Sequence, residues 1–383
     1  MPADKRRFTA MPRELIALEP RKPVLREYEE PELRLRQIRI RTEFASPKHG
    51  TEMVGYRNEP SARRSYDPEW GCMIPRPADD GPRNFQLGNM AVGVITEVGP
   101  DVTRFRVGDR VFGHLSIRET HTVDEEAVDP LPEGLHAEAV VCLDPAVMAL
   151  AIRDASIRLG DQVAVFGLGA IGLMAVQMAR IAGADRVIGV DPIEVRRDVA
   201  KALGADTALD PLADGGDAGM AIRRISGAPR LEVEPPEGAR VLGGYWEVPT
   251  QFGQRGVDVA IEASGSIPAL QHAIRATRFG GTICMISYYG GDAAGLRLGD
   301  EFHLNRQQLI SARVESLPLR DAPAWTLERL VEVALGWLEN GRLKTEGIMT
   351  PVVPFGESVE AYREIDQHPE RSIKLGISFT DAR

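Results

Sequence analysis

Val163-Ala-Val-Phe-Gly167-Leu-Gly169-Ala170-Ile171-Gly172-Leu-Met-Ala-Val-Gln-Met-Ala-Arg180 is followed, after a short connection, by Arg186-Val-Ile-Gly-Val-Asp191. An apolar run ends in glycines spaced G-x-G-x-x-G. Met174, Ala175, Met178, Ala179 and Ala182 then recur at helical spacing, and a second apolar run closes on an aspartate. The order is strand, tight turn, helix, strand. Gly167 lets the chain turn off the strand, Gly169 leaves room for a pyrophosphate against bare backbone, and Gly172 lets helix and sheet pack closely. The anion would sit on the unpaired N–H groups of the first helical turn, at Ala170 and Ile171. Asp191 stands about twenty residues further on, where a carboxylate accepts from an adenosine ribose. The set predicts a dinucleotide site, and Asp191 favours NAD over NADP because a carboxylate repels a 2′-phosphate. Arg196, with Arg197, follows closely enough to soften that repulsion; alternatively both solvate the exposed face of a helix over residues 194–203.

The chain has 383 residues, 43% of them hydrophobic, which allows two domains with separate cores. No apolar run approaches the roughly twenty residues of a membrane span. The first ten residues are polar and do not resemble a signal peptide, so a cytoplasmic protein is expected. A formal net charge of −10 argues against nucleic acid or an anionic membrane as partner. Cys72, Cys142 and Cys284 are too far apart for a disulfide framework or a metal knuckle. The last two lie in apolar runs and read as inert core residues, whereas Cys72 falls in a loop-like stretch.

Before the fingerprint the chain reads as mostly β. Residues 14–18, 24–27 and 37–43 are strand-like, the last alternating Ile38, Ile40 and Thr42 with charged neighbours. Residues 46–80, rich in Pro, Gly, Arg and Asp, read as loop, and two further strands are expected at 91–100 and 105–113. After the fingerprint, buried strands are expected at 206–210, 257–263 and 282–287, alternating with helices as in a parallel sheet. A helix over 325–340 and a strand over 372–379 close the chain. Residues 226–255 form an unusually long connection with several prolines and Tyr245-Trp246, read either as a bland insertion or as a lid or subunit contact.

Gly50-Thr51-Glu52, Val92-Gly-Val-Ile-Thr-Glu-Val-Gly-Pro, Val107-Gly-Asp-Arg-Val-Phe-Gly, the fingerprint itself, Val257-Asp-Val-Ala-Ile-Glu-Ala-Ser-Gly and Phe279-Gly-Gly-Thr-Ile run in this order over nearly the whole chain. In this set the chain resembles the medium-chain dehydrogenase/reductase superfamily, which includes zinc alcohol and polyol dehydrogenases and zinc-free quinone reductases. The resemblance implies an α/β protein. A GroES-like β-barrel catalytic domain over residues 1–146, completed by a C-terminal return over 313–383, would carry a doubly wound Rossmann domain over 147–312. It also implies that Ala263, Ser264, Gly265, Ile286, Ser287 and Tyr288 line the nicotinamide end of the cofactor, and that the protein is a homodimer or homotetramer.

Zinc members place a cysteine before a Gly-Ser/Thr-Asp element, a histidine in Gly-His-Glu, and a third ligand before the nucleotide domain. Here those positions hold His49, Asn89 and Asp144, and the cysteine lobe of a structural zinc is missing. Asn89 is a poor zinc ligand, so a zinc-free site is expected. Without a metal, His49 becomes a candidate base for the hydroxyl proton. Thr51 matches the family's relay hydroxyl, Glu52 anchors the loop, and Asp144 orients His49 or the substrate. In each case a purely structural role is the alternative. Glu301-Phe-His303-Leu-Asn305-Arg306 offers polar groups to a polyhydroxylated substrate or simply begins a solvated helix. His114 and His121 are cleft candidates with a surface turn as the default.

These readings lead to an NAD-dependent oxidoreductase that interconverts a secondary alcohol, a sugar or polyol among the candidates, with its ketone. A zinc-free quinone or enone reductase, a zinc dehydrogenase, and a nucleotide-binding protein without turnover are the alternatives.

Overall fold

Six strands of the nucleotide-binding unit form one all-parallel sheet. Their spatial order is Thr207–Leu209, Arg186–Val190, Gln162–Phe166, Val257–Glu262, Thr277–Met285, Gln308–Ser311. Numbered along the chain this is 3-2-1-4-5-6, and the order reverses between Gln162–Phe166 and Val257–Glu262. The crevice beyond the carboxyl ends of those two strands is where open α/β sheets bind ligands. The computed structural model describes residues 11–59, 64–75, 85–213, 215–226 and 255–379.

Burial explains why the strands read as unbroken apolar runs. Val163, Ala164 and Val165 are wholly buried, as are Val187 and Ile188 in the neighbouring strand. Helices cover both faces of such a sheet, so no alternation is available to the sequence. Phe166, Ile188, Leu270, Ile274 and Ile283 share one core cluster.

The catalytic unit is built on the strand Gln37–Ser46, which pairs antiparallel with Met90–Val98, Thr120–Asp124 and Lys374–Ser378. Ile38, Ile40 and Thr42 are buried and Arg41 is exposed, as the alternation predicts, but Arg39 is buried as well, its guanidinium paired with Glu30 and Glu97. The closing strand thus returns to the first domain and sits beside the chain's earliest long strand. The same sheet also takes in Arg110–Gly113, Asp129–Pro130 and Met349–Pro354, and a separate three-stranded sheet is formed by Lys22–Glu27, Arg13–Glu19 and Phe85–Gln86.

The units comprise Met1–Asp144 with Leu335–Arg383, and Pro145–Ala334. The first boundary lies two residues from the expected one, but the return comes at Leu335 rather than at 313. The reason lies in the segment after the sixth strand. Arg320 pairs with Asp154, Arg153 with Asp321, and the Trp325 ring lies under the guanidinium groups of Arg153 and Arg329. These ties keep residues 312–334 with the nucleotide-binding unit.

Two further expectations are corrected. Residues 46–80 are not simply loop: they contain the helix His49–Tyr56 and a hairpin of Arg64–Asp67 with Cys72–Pro75. Met53 and Tyr56, three apart, bury one face of that short helix, a signal too brief for periodicity to expose. The strand expected at 105–113 forms only over Arg110–Gly113, because Asp109 accepts a hydrogen bond from the Arg106 N–H at 2.9 Å and closes a turn first. The long connection at 226–255 falls almost wholly outside the described residues.

Candidate active site

The fingerprint turn is fixed by backbone contacts. Gly167 has φ +86° and donates its N–H to the Val190 carbonyl at 2.9 Å. A Cβ on Gly172 would lie 1.8 Å from the Gly167 carbonyl oxygen, so only glycine lets the helix start here. Above Gly169, by contrast, a Cβ would meet nothing within 4 Å. That open space faces the start of the twelve-residue helix Ala170–Ile181, whose first-turn N–H groups, including those of Ala170 and Ile171, have no carbonyl one turn back. A free donor cluster at the positive end of a helix dipole suits a pyrophosphate.

Asp191 is buried at the end of the next strand. One carboxylate oxygen accepts from the Leu168 N–H and the other from the Ile193 N–H, both at 2.8 Å. A carboxylate offers about four acceptor sites, so two bonds lock its orientation and leave capacity for ribose hydroxyls. Arg196 lies 3.8 Å from Asp191, and Arg197 donates to the Asp191 carbonyl at 2.8 Å. Neither side chain merely solvates an exposed helix face, which corrects that alternative. Burial pulls the Arg196 guanidinium below its ordinary pKa, and Asp191 pulls it back up. The residues present therefore fit a bound dinucleotide.

At the neighbouring strand ends the organising group is Glu262, fully buried. It accepts from the Ser264 N–H at 2.9 Å and the Gly265 N–H at 3.2 Å, and from the hydroxyls of Ser264, Ser287 and Tyr289. The loops after two adjacent strands are thereby tied to one carboxylate. Ser264, Gly265 and Ser287 are brought together on this carboxylate, with Ala263 leading into the cluster and Ile286 donating its N–H to the Glu262 carbonyl at 2.9 Å. Tyr288 is instead exposed, and its neighbour Tyr289 turns inward. Burial and the adjacent carboxylate push the Tyr289 phenol well above its ordinary pKa, so it remains a donor. Sequence reasoning gave Glu262 and Tyr289 no role. An acid closing the apolar run 259–261 was the available signal.

The polar segment 301–306 lies elsewhere. Glu301 pairs with Arg275, and the Asn305 carbonyl accepts from the Gly280 N–H at 2.7 Å, near the amino end of its strand. That is the sheet edge opposite the crevice, so a substrate role for His303 or Asn305 is not supported. In the 250 Å³ cavity lined by Arg153, Asp154, Arg313, Arg320 and Asp321 each of these charges is already paired, Arg313 with Glu315 and the others with one another.

In the catalytic unit the start of the helix His49–Tyr56 gathers the expected residues. Glu52 accepts from the Lys48 N–H at 3.0 Å, the Gly88 N–H at 2.8 Å and the Tyr362 hydroxyl. Burial raises its pKa and these three bonds oppose the rise. It anchors the loop, as the sequence suggests. His49 Nε2 accepts the Leu375 N–H at 2.9 Å. That lone pair already holds the closing strand, so taking a proton there would break the bond. The geometry therefore speaks against His49 as the base at that nitrogen. Thr51 is exposed on the first helical turn. Asp144, in the first turn of the helix Leu143–Ala149, is buried and pairs with the Lys48 ammonium at 3.0 Å, not with His49.

Lys374, in the closing strand, is buried and donates to the Pro47 carbonyl at 2.9 Å. Burial lowers its pKa, while nearby Cys142, Asp144 and Glu52 act to raise it. A lysine inside the apolar run 373–377 was its sequence signal. His121 is buried on the strand Thr120–Asp124, not on a surface turn, and burial with nearby Arg118 lowers its pKa to about 3. His114 is exposed, as its default reading holds. Cys142 and Cys284 are buried with thiol pKa values pushed up to about 12 by burial, which fits inert core residues; Cys72 is exposed on the hairpin.

Zinc can be tested against this donor set. The second position is Asn89, whose amide Nδ2 is buried without a partner, and the third is an acid already bonded to an ammonium. Among the described residues no three His, Cys, Asp or Glu side chains come together as a metal site. Two cations, Lys48 and Lys374, stand near Asp144. The donors here do not fit a catalytic zinc, which requires three protein ligands.

The 3-2-1-4-5-6 sheet with its open helix start is encoded between two chain segments that fold together into an antiparallel β unit. The chain belongs to the medium-chain, alcohol dehydrogenase-like dehydrogenase/reductase superfamily. Residues 65–154 match the model described as "Alcohol dehydrogenase GroES-like domain" and residues 170–324 the model described as "Zinc-binding dehydrogenase". The chain is 40% identical over 378 residues to D-guloside 3-dehydrogenase of Escherichia coli, covering 96% of this chain and 100% of that protein. A probable D-xylulose reductase A of Aspergillus clavatus is 24% identical over 73% of this chain and 76% of its own length. Among solved structures, 2R,3R-butanediol dehydrogenase of Bacillus subtilis superposes with TM-score 0.69 at 20% identity, covering 96% and 100% of the two chains. A Sinorhizobium meliloti dehydrogenase bound to NADP gives TM-score 0.68 at 17% identity, covering 96% and 99%. These two structural likenesses speak to the fold.

Proposed function

We propose that this protein is an NAD-dependent, zinc-free dehydrogenase that interconverts a secondary hydroxyl of a sugar, glycoside or polyol with the corresponding ketone. The observation that carries the reading is the open space over Gly169 at the helix start, with buried Asp191 locked beside it. When bound, the nicotinamide supplies the hydride acceptor at C4.

The chain's own residues do the rest. The N–H groups at Ala170 and Ile171 hold the pyrophosphate, and Asp191 accepts from the ribose and disfavours a 2′-phosphate. Glu262 sets the loops of Ser264 and Ser287 at the nicotinamide end. Thr51 passes the hydroxyl proton toward water, and His49 orients the loop that carries it. The sugar or polyol class is supported by what the similar proteins are named for, and the absence of zinc by the unsuited donor set.

We further propose a cytoplasmic homodimer or homotetramer that acts on small molecules rather than on nucleic acid or membranes. The acidic net charge of −10 supports the latter part. Sedimentation of the purified protein checks the assembly.

The activity test is NAD reduction across a panel of glycosides, free sugars, polyols and simple secondary alcohols. Turnover concentrated on the hydroxylated ring or chain substrates is the expected result. NADH binding with no oxidation of any of them would instead point to a nucleotide-binding protein without turnover, and oxidation of NADPH by quinones to the reductase alternative.

A further inference from the structure

We propose that Lys48 is a catalytic residue, its ammonium hydrogen-bonding the reacting oxygen of the substrate and so filling the electrophilic role that this site's donors cannot assign to zinc. The inference rests on the dehydrogenase reading above.

The geometry gathers one charge where the chemistry needs it. Lys48 immediately precedes the helix His49–Tyr56, and its N–H is bonded to Glu52 at 3.0 Å, so its backbone is fixed. Its Nζ lies 3.0 Å from Asp144 Oδ1, and the two side chains are 20% and 5% exposed. Asp144 is itself held in the first turn of a helix, where the dipole favours a carboxylate.

An ammonium has three donors. Among the described residues Asp144 is the one acceptor bonded to the Lys48 ammonium, so two N–H groups remain for a ligand. Lys374 is less suited, being buried with its ammonium on the Pro47 carbonyl. Thr51 stands three residues on, about one helical turn from Lys48 and exposed. A fixed cation and a relay hydroxyl therefore share one helix end.

In the oxidation the substrate C–H bond breaks and its electron pair leaves as hydride for nicotinamide C4. The O–H bond breaks, its proton passing to the Thr51 hydroxyl, which releases its own to water, and the C=O bond forms. Lys48 keeps its three protons throughout. Its charge stabilises the alkoxide character that develops on the oxygen, more strongly than in water because the site is partly desolvated.

The test compares wild type, Lys48→Met, Lys48→Arg and the double variant Lys48→Met with Asp144→Asn, which leaves no buried carboxylate unpaired. For each we would measure kcat, KM, NADH affinity, thermal stability and bound zinc. Expected are wild-type turnover without stoichiometric zinc and insensitive to chelators, and a loss of kcat by about 10²–10³-fold in Lys48→Met and in the double variant. NADH affinity should stay within about twofold, and Lys48→Arg should recover part of kcat by restoring the charge. An unchanged kcat in the folded double variant, or one zinc per chain whose removal abolishes turnover, would overturn the role of Lys48. Failure of wild type to bind NADH would instead bring down the dehydrogenase reading, and this inference with it.

Discussion

The two functional regions are built from different materials. In the nucleotide-binding unit the crevice is backbone: Gly167 at φ +86°, Gly172 where no Cβ can be placed, and N–H groups waiting for an anion. In the catalytic unit the corresponding region is made of side chains, and its charges, Lys48 against Asp144 with Lys374 nearby, surround Asp144, one of the three positions at which the resemblance would expect a metal ligand. A backbone site tolerates almost any sequence around its glycines but none at them. A side-chain site can be rebuilt by substituting three or four positions. The first kind preserves its chemistry along with its fold, whereas the second can change chemistry while the fold stays.

The sharpest way to break that contrast is Gly172→Ala. Its methyl would sit 1.8 Å from a carbonyl that cannot move without unseating the turn, so a loss of about 3 kcal/mol or more is expected together with loss of NADH binding. Denaturant unfolding and fluorescence titration measure both. Glu262→Gln comes next. It replaces one of the two acceptor oxygens by an NH2 that faces the donors now bonded there, and a loss of about 1–3 kcal/mol, divided between stability and NADH affinity, is expected from calorimetry and titration. Asp191→Ala should weaken NADH about tenfold, near 1.4 kcal/mol, and narrow or reverse the preference over NADPH; side-by-side titration with the two cofactors reads it.

Gly169→Ala sharpens the comparison from the other side. With φ −70° and nothing within 4 Å of a Cβ, stability should change by less than about 0.5 kcal/mol. NADH affinity should nonetheless fall about tenfold, because the methyl occupies the path of the pyrophosphate.

An effect of another kind, read against pH, concerns the catalytic unit's core. His121 has a folded pKa of about 3, below its unfolded value of 6.5, because it is buried and faces Arg118. The unfolded chain therefore binds the proton first. Stability contributed by this group is present above pH 6.5 and is lost as pH falls from there towards 3, with a slope approaching about 1.4 kcal/mol per pH unit. His121→Gln should remove that part of the acid sensitivity in unfolding measurements between neutral and mildly acidic pH.

The same division sets what the sequence could reveal. The parallel sheet, the fingerprint turn and Asp191 were all legible, since glycine spacing and apolar runs are direct consequences of backbone geometry. Glu52 as an anchor was legible too, from its place beside Gly50-Thr51. The partners of Asp144 were not, because Lys48 and residue 144 meet only through tertiary folding, nearly a hundred positions apart. Glu262, Tyr289 and Lys374 escaped for the same reason: a polar residue at the end of an apolar run or within it signals something, but not what it will touch. The polar segment at 301–306 misled in the opposite sense, as its composition suited a substrate while the strand direction carried it to the far edge of the sheet. The short helix His49–Tyr56 lay hidden within a loop-like composition, having too few turns to show a period.

The central claim is that the open helix start at Gly169 and the locked acid at Asp191 hold an NAD molecule. Equilibrium titration of the purified protein with NADH and NADPH tests it most directly. Saturable binding of NADH at one per chain, tighter than NADPH by about tenfold or more, is the predicted result; no binding of either, or a clear preference for NADPH, would contradict it.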